Sequence, residues 1–127
     1  MRGLLLVGLV ACADKGGDTA PSLEPTFTNV QGEVLVASCA FSTCHGSGTG
    51  GLTLEDGMDP SSLVGVESVG SPGAILVVAG DPDASYLVQK LEGASGIVGD
   101  AMPPGGALEA DRLQLVRDWI EAGALDN

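Results

Sequence analysis

The stretch SCAFSTCHGSG, residues 38–48, contains two of the three cysteines of the chain and its only histidine. Cys39, Cys44 and His45 therefore lie together in one short segment. Two thiols and an imidazole at this spacing can close a loop through a disulfide, ligate a metal ion or attach a cofactor. The rest of the chain decides which of these uses the sequence favours.

The composition predicts one small acidic domain with few large rings in its core. The chain has 127 residues, a length typical of a single domain. Hydrophobic residues make up 44% of it but aromatic residues only 3%, and such a domain is marginal without a disulfide, a metal or a cofactor. The net charge of −12 argues against binding to nucleic acid and to anionic membranes. We interpret the dispersed acidic residues as solvated surface, with attraction to a basic partner as the alternative.

The N-terminus has the pattern of an export signal. MRGLLLVGLVAC begins with one basic residue and continues as an apolar run. That run is too short for a bilayer, which takes about 20 residues, so residues 1–11 are predicted to be a signal peptide. Its end, LVAC, resembles the lipobox of bacterial lipoproteins and implies that Cys12 is the lipidated first residue of the mature chain. The alternative is a plain signal with an incidental cysteine.

The segment after the signal is predicted to be a flexible tether. Residues 12–26 are rich in Gly, Pro, Asp and Thr, which leaves residues 27–127 as the folded domain. Because an exported chain meets an oxidising compartment, a disulfide is admissible in this domain.

Two helices are predicted in the part of the domain that ends at residue 93. The first covers about 29–37, where Thr28 and Gln31 fit a capping box. The second lies in DPDASYLVQKLEG, residues 81–93. There Asp81 fits the N-cap, a proline follows at the first helical position, and the final glycine fits the C-terminal stop.

A third helix is predicted over about 109–122, with a stop at Gly123. It has an apolar stripe at helical spacing, formed by Leu113, Val116, Trp119 and Ile120. A short helical turn is predicted near 59–65. AILVVAG, residues 74–80, has the composition of a short strand but no evident partner. The predicted fold class is therefore mainly α, with about three helices and Gly/Pro-rich loops.

The cysteine–histidine segment lacks the composition of the common metal and catalytic sites. Structural zinc takes four Cys or His ligands, whereas Cys39, Cys44 and His45 are three. Blue copper takes two histidines with a cysteine, and this chain has one histidine. A Cys–His catalytic pair is disfavoured because adjacent residues rarely point their side chains at each other. A disulfide between Cys39 and Cys44 remains open, although it leaves the histidine without a role.

Attachment of haem uses all three residues. C-x-x-C-H is the attachment signal of c-type haem, with thioethers to the cysteines and the histidine on the iron. Here CAFSTCH has a longer spacing, and cysteines five apart on a regular helix are out of phase, so the segment must bulge. DAMPPGG supplies a sixth ligand in Met102, which Pro103 biases towards extended backbone. Met58, in the more acidic EDGMDP, is the next candidate.

The order of these motifs resembles the small cytochrome c-type domains of exported bacterial proteins, including the planctomycete-type group. A CHG site is followed by GGLTL, by GDPDASYLVQKLEG, by MPP and by a closing helix ending in WIEAGA. The resemblance extends over about residues 27–125 and implies a class I cytochrome c-like fold around covalent haem c. It implies thioethers at Cys39 and Cys44, with His45 as proximal and Met102 as distal ligand of the iron. It also implies that Trp119 packs in the core near the haem.

The resulting interpretation is a lipid-anchored monohaem electron carrier rather than an enzyme. Because Met102 fills the sixth position, no open coordination site remains for a substrate. We expect a monomer that passes single electrons between redox partner proteins at the periplasmic face of a membrane or at the outer membrane surface. Basic partners are the alternative that the acidic charge offers. Only the lipid on Cys12 would touch the membrane. The alternative is a haem-free, disulfide-stapled surface lipoprotein that acts as a binding module.

Overall fold

A computed structural model of the chain describes residues 23–127. The predicted signal peptide, Cys12 and most of the predicted tether lie outside this range. The regular secondary structure of residues 23–127 is helical, with three main helices and no strand, which confirms a mainly α domain. They are α1 (Phe27–Val30, continued as a π-helical segment, Gln31–Cys39), α2 (Tyr86–Glu92) and α3 (Ala110–Glu121). No helix in the described range is both long and apolar enough to cross a membrane.

Helix α1 begins earlier than predicted because a different threonine caps it. The side-chain oxygen of Thr26 accepts a hydrogen bond from the Asn29 amide at 3.2 Å. The predicted capping box of Thr28 and Gln31 is therefore wrong. Instead, the Gln31 side chain donates to two backbone carbonyls of the loop at 55–58, and so ties the helix to that loop.

Helix α2 begins later than predicted and ends as predicted. Asp81 caps a turn, since its carboxylate accepts from the Ala84 amide at 3.0 Å, but the helix starts only after Ser85. The buried Ser85 hydroxyl, directly before the helix, donates to the Asp81 carbonyl at 2.8 Å and so joins this turn to the start of the helix. At the other end Gly93 adopts the left-handed conformation that stops a helix, with φ of 65°.

Helix α3 agrees with its predicted bounds to within one residue and packs against both α1 and α2. Trp119, on its inner face, is completely buried and lies against Phe27 of α1, with ring centroids 5.3 Å apart. The indole nitrogen donates to the Leu125 carbonyl at 2.9 Å, so the polar atom of this buried ring is satisfied. The core side chains with no exposed surface are Val30, Val34, Leu35, Leu63, Val77, Val88, Val116, Trp119 and Ile120.

The segment between α1 and α2 consists of turns that form one wall of a cleft. Three one-turn 3-10 helices lie in it: His45–Ser47, Thr49–Gly51 and Pro60–Ser62. The last is capped by the side chain of Asp59, which confirms the predicted turn near 59–65. The predicted strand at 74–80 is wrong: this segment makes only isolated bridges to residues 64 and 67. Short pairing of this kind leaves the wall irregular, and its loops contribute directly to the cleft.

Candidate functional site

A cleft of about 570 Å³ opens between the loops that follow α1, helix α2 and the loop that precedes α3. Its size lies in the range of small-molecule and cofactor sites, about 300–1,000 Å³. Most of its lining is apolar. The lining residues that carry polar or sulfur chemistry used below are Cys39, His45, Met58, Lys90 and Met102.

The imidazole of His45 is oriented by the backbone of a neighbouring turn. Its Nδ1 lies 3.0 Å from the Leu52 carbonyl oxygen, and since a carbonyl only accepts, Nδ1 carries the proton. This contact leaves Nε2 as the ring nitrogen available to a ligand. Histidines that bind metals commonly donate their other ring nitrogen to a carbonyl in this way.

Position 46, directly after this histidine, must be a glycine because two backbone segments approach each other closely there. A Cβ at this position would overlap the carbonyl oxygen of Ala40 and lie 2.9 Å from that of Phe41. The chain passes so near to the end of α1 because the Gly46 amide donates to the Phe41 carbonyl at 3.1 Å. The histidine is thereby held close to the end of the helix that carries Cys39.

The two cysteines of the segment occupy different environments. Cys39 ends the π-helical segment and lines the cleft, and its thiol donates to the Val34 carbonyl at 3.7 Å. Burial raises the pKa of the Cys39 thiol, and the charge on the nearby Cys44 raises it further. Cys44 is half-buried, with its sulfur 3.8 Å from the Thr43 hydroxyl, but does not line the cleft. Both are free thiols, so the disulfide considered as the alternative is not formed in this structure.

The chain between the cysteines leaves the helix, as the out-of-phase spacing predicted. The π-helical segment ends at Cys39, and residues 41–44 form a turn in which the Cys44 amide donates to the Phe41 carbonyl at 2.8 Å. Phe41 projects from this turn with 56% of its surface exposed. The predicted bulge is therefore confirmed: a turn, rather than a helical repeat, spans the extra residues.

Met102 lines the same cleft as His45. It is half-buried in the loop after α2, and its amide donates to the Lys90 carbonyl at 2.8 Å. The following Met102–Pro103 peptide bond is cis. Met58, the second candidate, also lines this cleft. Trp119 does not line it but packs on Phe27, so in the structure of residues 23–127 it belongs to the core between α1 and α3.

Two residues of the site escaped the sequence prediction. Leu52 acts through its backbone carbonyl, which every residue possesses, so no side-chain pattern could have indicated it. Lys90 is the cation that lines the cleft, and its position on one face of α2 resembles that of any solvated helical lysine. Within residues 23–127, no three side chains of the His, Cys, Asp and Glu types are grouped to hold a metal ion.

Comparisons with known proteins find no relative of this chain. Protein-family models, curated proteins and solved structures were each searched, and none matches this chain.

Proposed function

We propose that residues 27–127 form a cytochrome c-like domain that carries one covalent haem c and transfers single electrons between partner proteins of the cell envelope. The observation that carries this proposal is the convergence of His45 and Met102 on one apolar cleft, with the imidazole oriented by Leu52. Nitrogen and thioether sulfur are the axial pair of electron-carrier cytochromes c.

The lining of the cleft fits this cofactor in volume and in chemistry. It is large enough for a cofactor, largely apolar, and lined by both Cys39 and His45. Cys44 directly precedes the histidine at the end of the turn that begins at Phe41. Attachment through Cys44 requires this exposed turn to present its thiol at the cleft edge.

In the proposed function the protein contributes the iron ligands, orients the haem and excludes water from it. Bound haem supplies the one-electron chemistry of its iron. His45 through Nε2 and Met102 through its sulfur would hold the haem iron, and the thioether would favour the ferrous state and so raise the reduction potential. With both of these ligands supplied by the chain, the iron would offer no position to a substrate, so the proposed role is electron transfer rather than an enzymatic reaction.

The surface charge supports exchange with basic partners. A net charge of −12 steers positively charged proteins towards the domain and speeds their association at low ionic strength. The same charge opposes self-association and binding to nucleic acid, so we propose a monomer. Anchoring through a lipid on Cys12 would keep the domain at a membrane surface in the envelope.

The proposal is tested by expressing the full chain together with cytochrome c maturation machinery. The intact mass, corrected for lipid, should exceed that of the polypeptide by one haem, and the pyridine haemochrome spectrum should be that of a c-type haem. Replacing Cys39 or Cys44 singly by serine leaves at most one thioether and should shift the haemochrome band towards that of b-type haem. His45→Ala should abolish stable loading, whereas Cys12→Ser should leave the haem content unchanged.

A mass without haem, with the two thiols joined to each other, would show the proposal to be wrong. The domain would then be a disulfide-stapled module of an exported lipoprotein. Loading that survives His45→Ala with an unchanged spectrum would retain a haem protein but remove the proposed proximal ligand.

A further inference from the structure

The loop that carries Met102 has no regular structure of its own. It connects α2 to α3 and is rich in glycine and proline, including Gly96 and Gly99, both with positive φ. Such a segment gains little order from local preferences. Its position at the cleft must therefore be imposed by contacts with the rest of the domain.

Helix α2 supplies those contacts through two residues one turn apart. The Lys90 ammonium donates to the Val98 carbonyl at 2.8 Å and to the Asp100 carbonyl. The Val98 amide donates to the Tyr86 hydroxyl at 3.0 Å. The Met102 amide donates to the Lys90 carbonyl at 2.8 Å. The loop is therefore hydrogen-bonded to α2 at Val98, Asp100 and Met102.

The chemistry of Lys90 suits this role. An ammonium has donors only, and its hydrogen bonds to carbonyls are strengthened by its charge. Within residues 23–127 the three ion pairs involve Arg112 and Arg117 but not Lys90, although the chain is strongly acidic. The loop also passes beside the ammonium: a Cβ on Gly99 would lie 3.9 Å from Lys90 Nζ. The charge of Lys90 is thus directed at backbone carbonyls of the Met102 loop.

We propose that Lys90 is a positioning residue, which fixes the loop of Met102 at the edge of the cleft through its two hydrogen bonds to loop carbonyls. The consequence for iron ligation rests on the proposed function. A loop held in place by the protein keeps the Met102 sulfur at the cleft, so competing ligands displace it less readily.

The test compares Lys90→Leu with Lys90→Arg in the purified, haem-loaded full chain. Leucine keeps an apolar stem without donors, whereas arginine restores charged donors. Gln89→Leu is the matched control, because the Gln89 side chain donates to the Asp83 carbonyl and not to the loop. Hydrogen exchange at Val98 and Met102 reports the loop itself, and imidazole titration of the far-red sulfur–iron band reports the ligand.

Lys90→Leu should raise exchange at the Val98 and Met102 amides by at least about tenfold and lower the imidazole concentration that removes the band by a similar factor. Lys90→Arg should recover most of both effects, and Gln89→Leu should behave as the wild type. Unchanged exchange in Lys90→Leu overturns the proposal, as does an increase that is equal in α3, since that would be general destabilisation. If the wild type takes up no haem, the proposed function fails, while the exchange measurement still decides whether Lys90 holds the loop.

Discussion

The Nδ1 atom of His45 lies 3.0 Å from the carbonyl oxygen of Leu52. The two segments are joined a second time, because the Leu54 amide donates to the His45 carbonyl at 2.9 Å. Both contacts use backbone atoms of residues 52–54. The ring is therefore positioned by the path of the chain rather than by a neighbouring side chain, and this path depends on the tight passage at Gly46.

Gly46→Ala should destabilise the domain because the added methyl group meets backbone oxygens that cannot rotate away. Its Cβ would overlap the Ala40 carbonyl oxygen and crowd that of Phe41. We expect a loss of about 1–3 kcal/mol in the free energy of unfolding, the usual cost of overpacking. Chemical denaturation followed by circular dichroism measures it.

Gly32→Ala is the matched control for this substitution. Gly32 lies in the π-helical segment that continues α1, is exposed, and has no neighbouring atom within 4 Å of the position that an added methyl carbon would take. Alanine there should stabilise the domain by about 0.5–1 kcal/mol, since it reduces the conformational freedom of the unfolded chain. Equal effects of the two substitutions would contradict the close approach at Gly46.

Cys39 should be the slower of the two site thiols to react in protein produced without haem. Burial, and secondarily the charge on Cys44, raise the pKa of the Cys39 thiol, so at a given pH it holds less of the reactive thiolate. Its alkylation by iodoacetamide should therefore accelerate only at a higher pH than is usual for cysteine. Peptide mapping by mass spectrometry follows each thiol separately.

Removal of the neighbouring thiol provides the control. In Cys44→Ser the charge contribution disappears while the burial of Cys39 remains, so the pH dependence of alkylation should move only part of the way towards that of an ordinary thiol. An ordinary profile already in the wild type would contradict the burial of Cys39 at the cleft.

The ends of α2 and α3 were predictable from sequence, whereas the starts of α1 and α2 were not. Gly93 and Gly123 end their helices with positive φ, a local property of glycine. The start of α1 is capped by Thr26 and is held in addition by contacts far along the chain: the Phe27 amide donates to the Asn127 side chain at 2.9 Å, and the Thr28 amide to the Asn127 carbonyl at 3.0 Å. A capping motif read from neighbouring residues cannot anticipate a partner at the other end of the domain.

The candidate site was predictable where side-chain chemistry is clustered or distinctive. Cys39 and His45 are close in sequence, and Met102 was identified by its loop, so their shared cleft agrees with the pattern of residue types. Leu52 orients the His45 ring through its backbone carbonyl, and Lys90 holds the Met102 loop through hydrogen bonds to loop carbonyls. Their roles arise from tertiary placement and carry no signature in the sequence. Whether haem occupies the cleft stays a prediction.

Cys12→Ser should release the protein from the membrane fraction. The prediction comes from LVAC at the end of the apolar N-terminal run, and it concerns a cysteine outside the described residues. Loss of the acyl chains removes the anchor, because the acidic domain has no attraction to anionic lipid. Fractionation of cells followed by immunoblotting measures the change. Unchanged partitioning would return the N-terminus to an ordinary signal.

Met102→Ala should keep the haem attached and change its ligation. In the proposed haem-loaded protein this change leaves the thioethers and His45 in place but removes the sulfur that would favour ferrous iron, so the reduction potential should fall. The weak far-red band of sulfur bound to ferric iron should disappear, and the reduced protein should bind carbon monoxide at the opened position. Optical spectroscopy and potentiometric titration of the loaded protein measure these changes.

Met58→Ala is the matched control, because Met58 lines the same cleft and is also a half-buried methionine. Its removal should leave the far-red band, the potential and the resistance to carbon monoxide as they are in the wild type. The reverse pattern, with the band lost in Met58→Ala and kept in Met102→Ala, would assign the sixth ligand to Met58. We expect the band to be lost in Met102→Ala and kept in Met58→Ala, because hydrogen bonds from Lys90 and to its carbonyl fix the Met102 loop at the cleft.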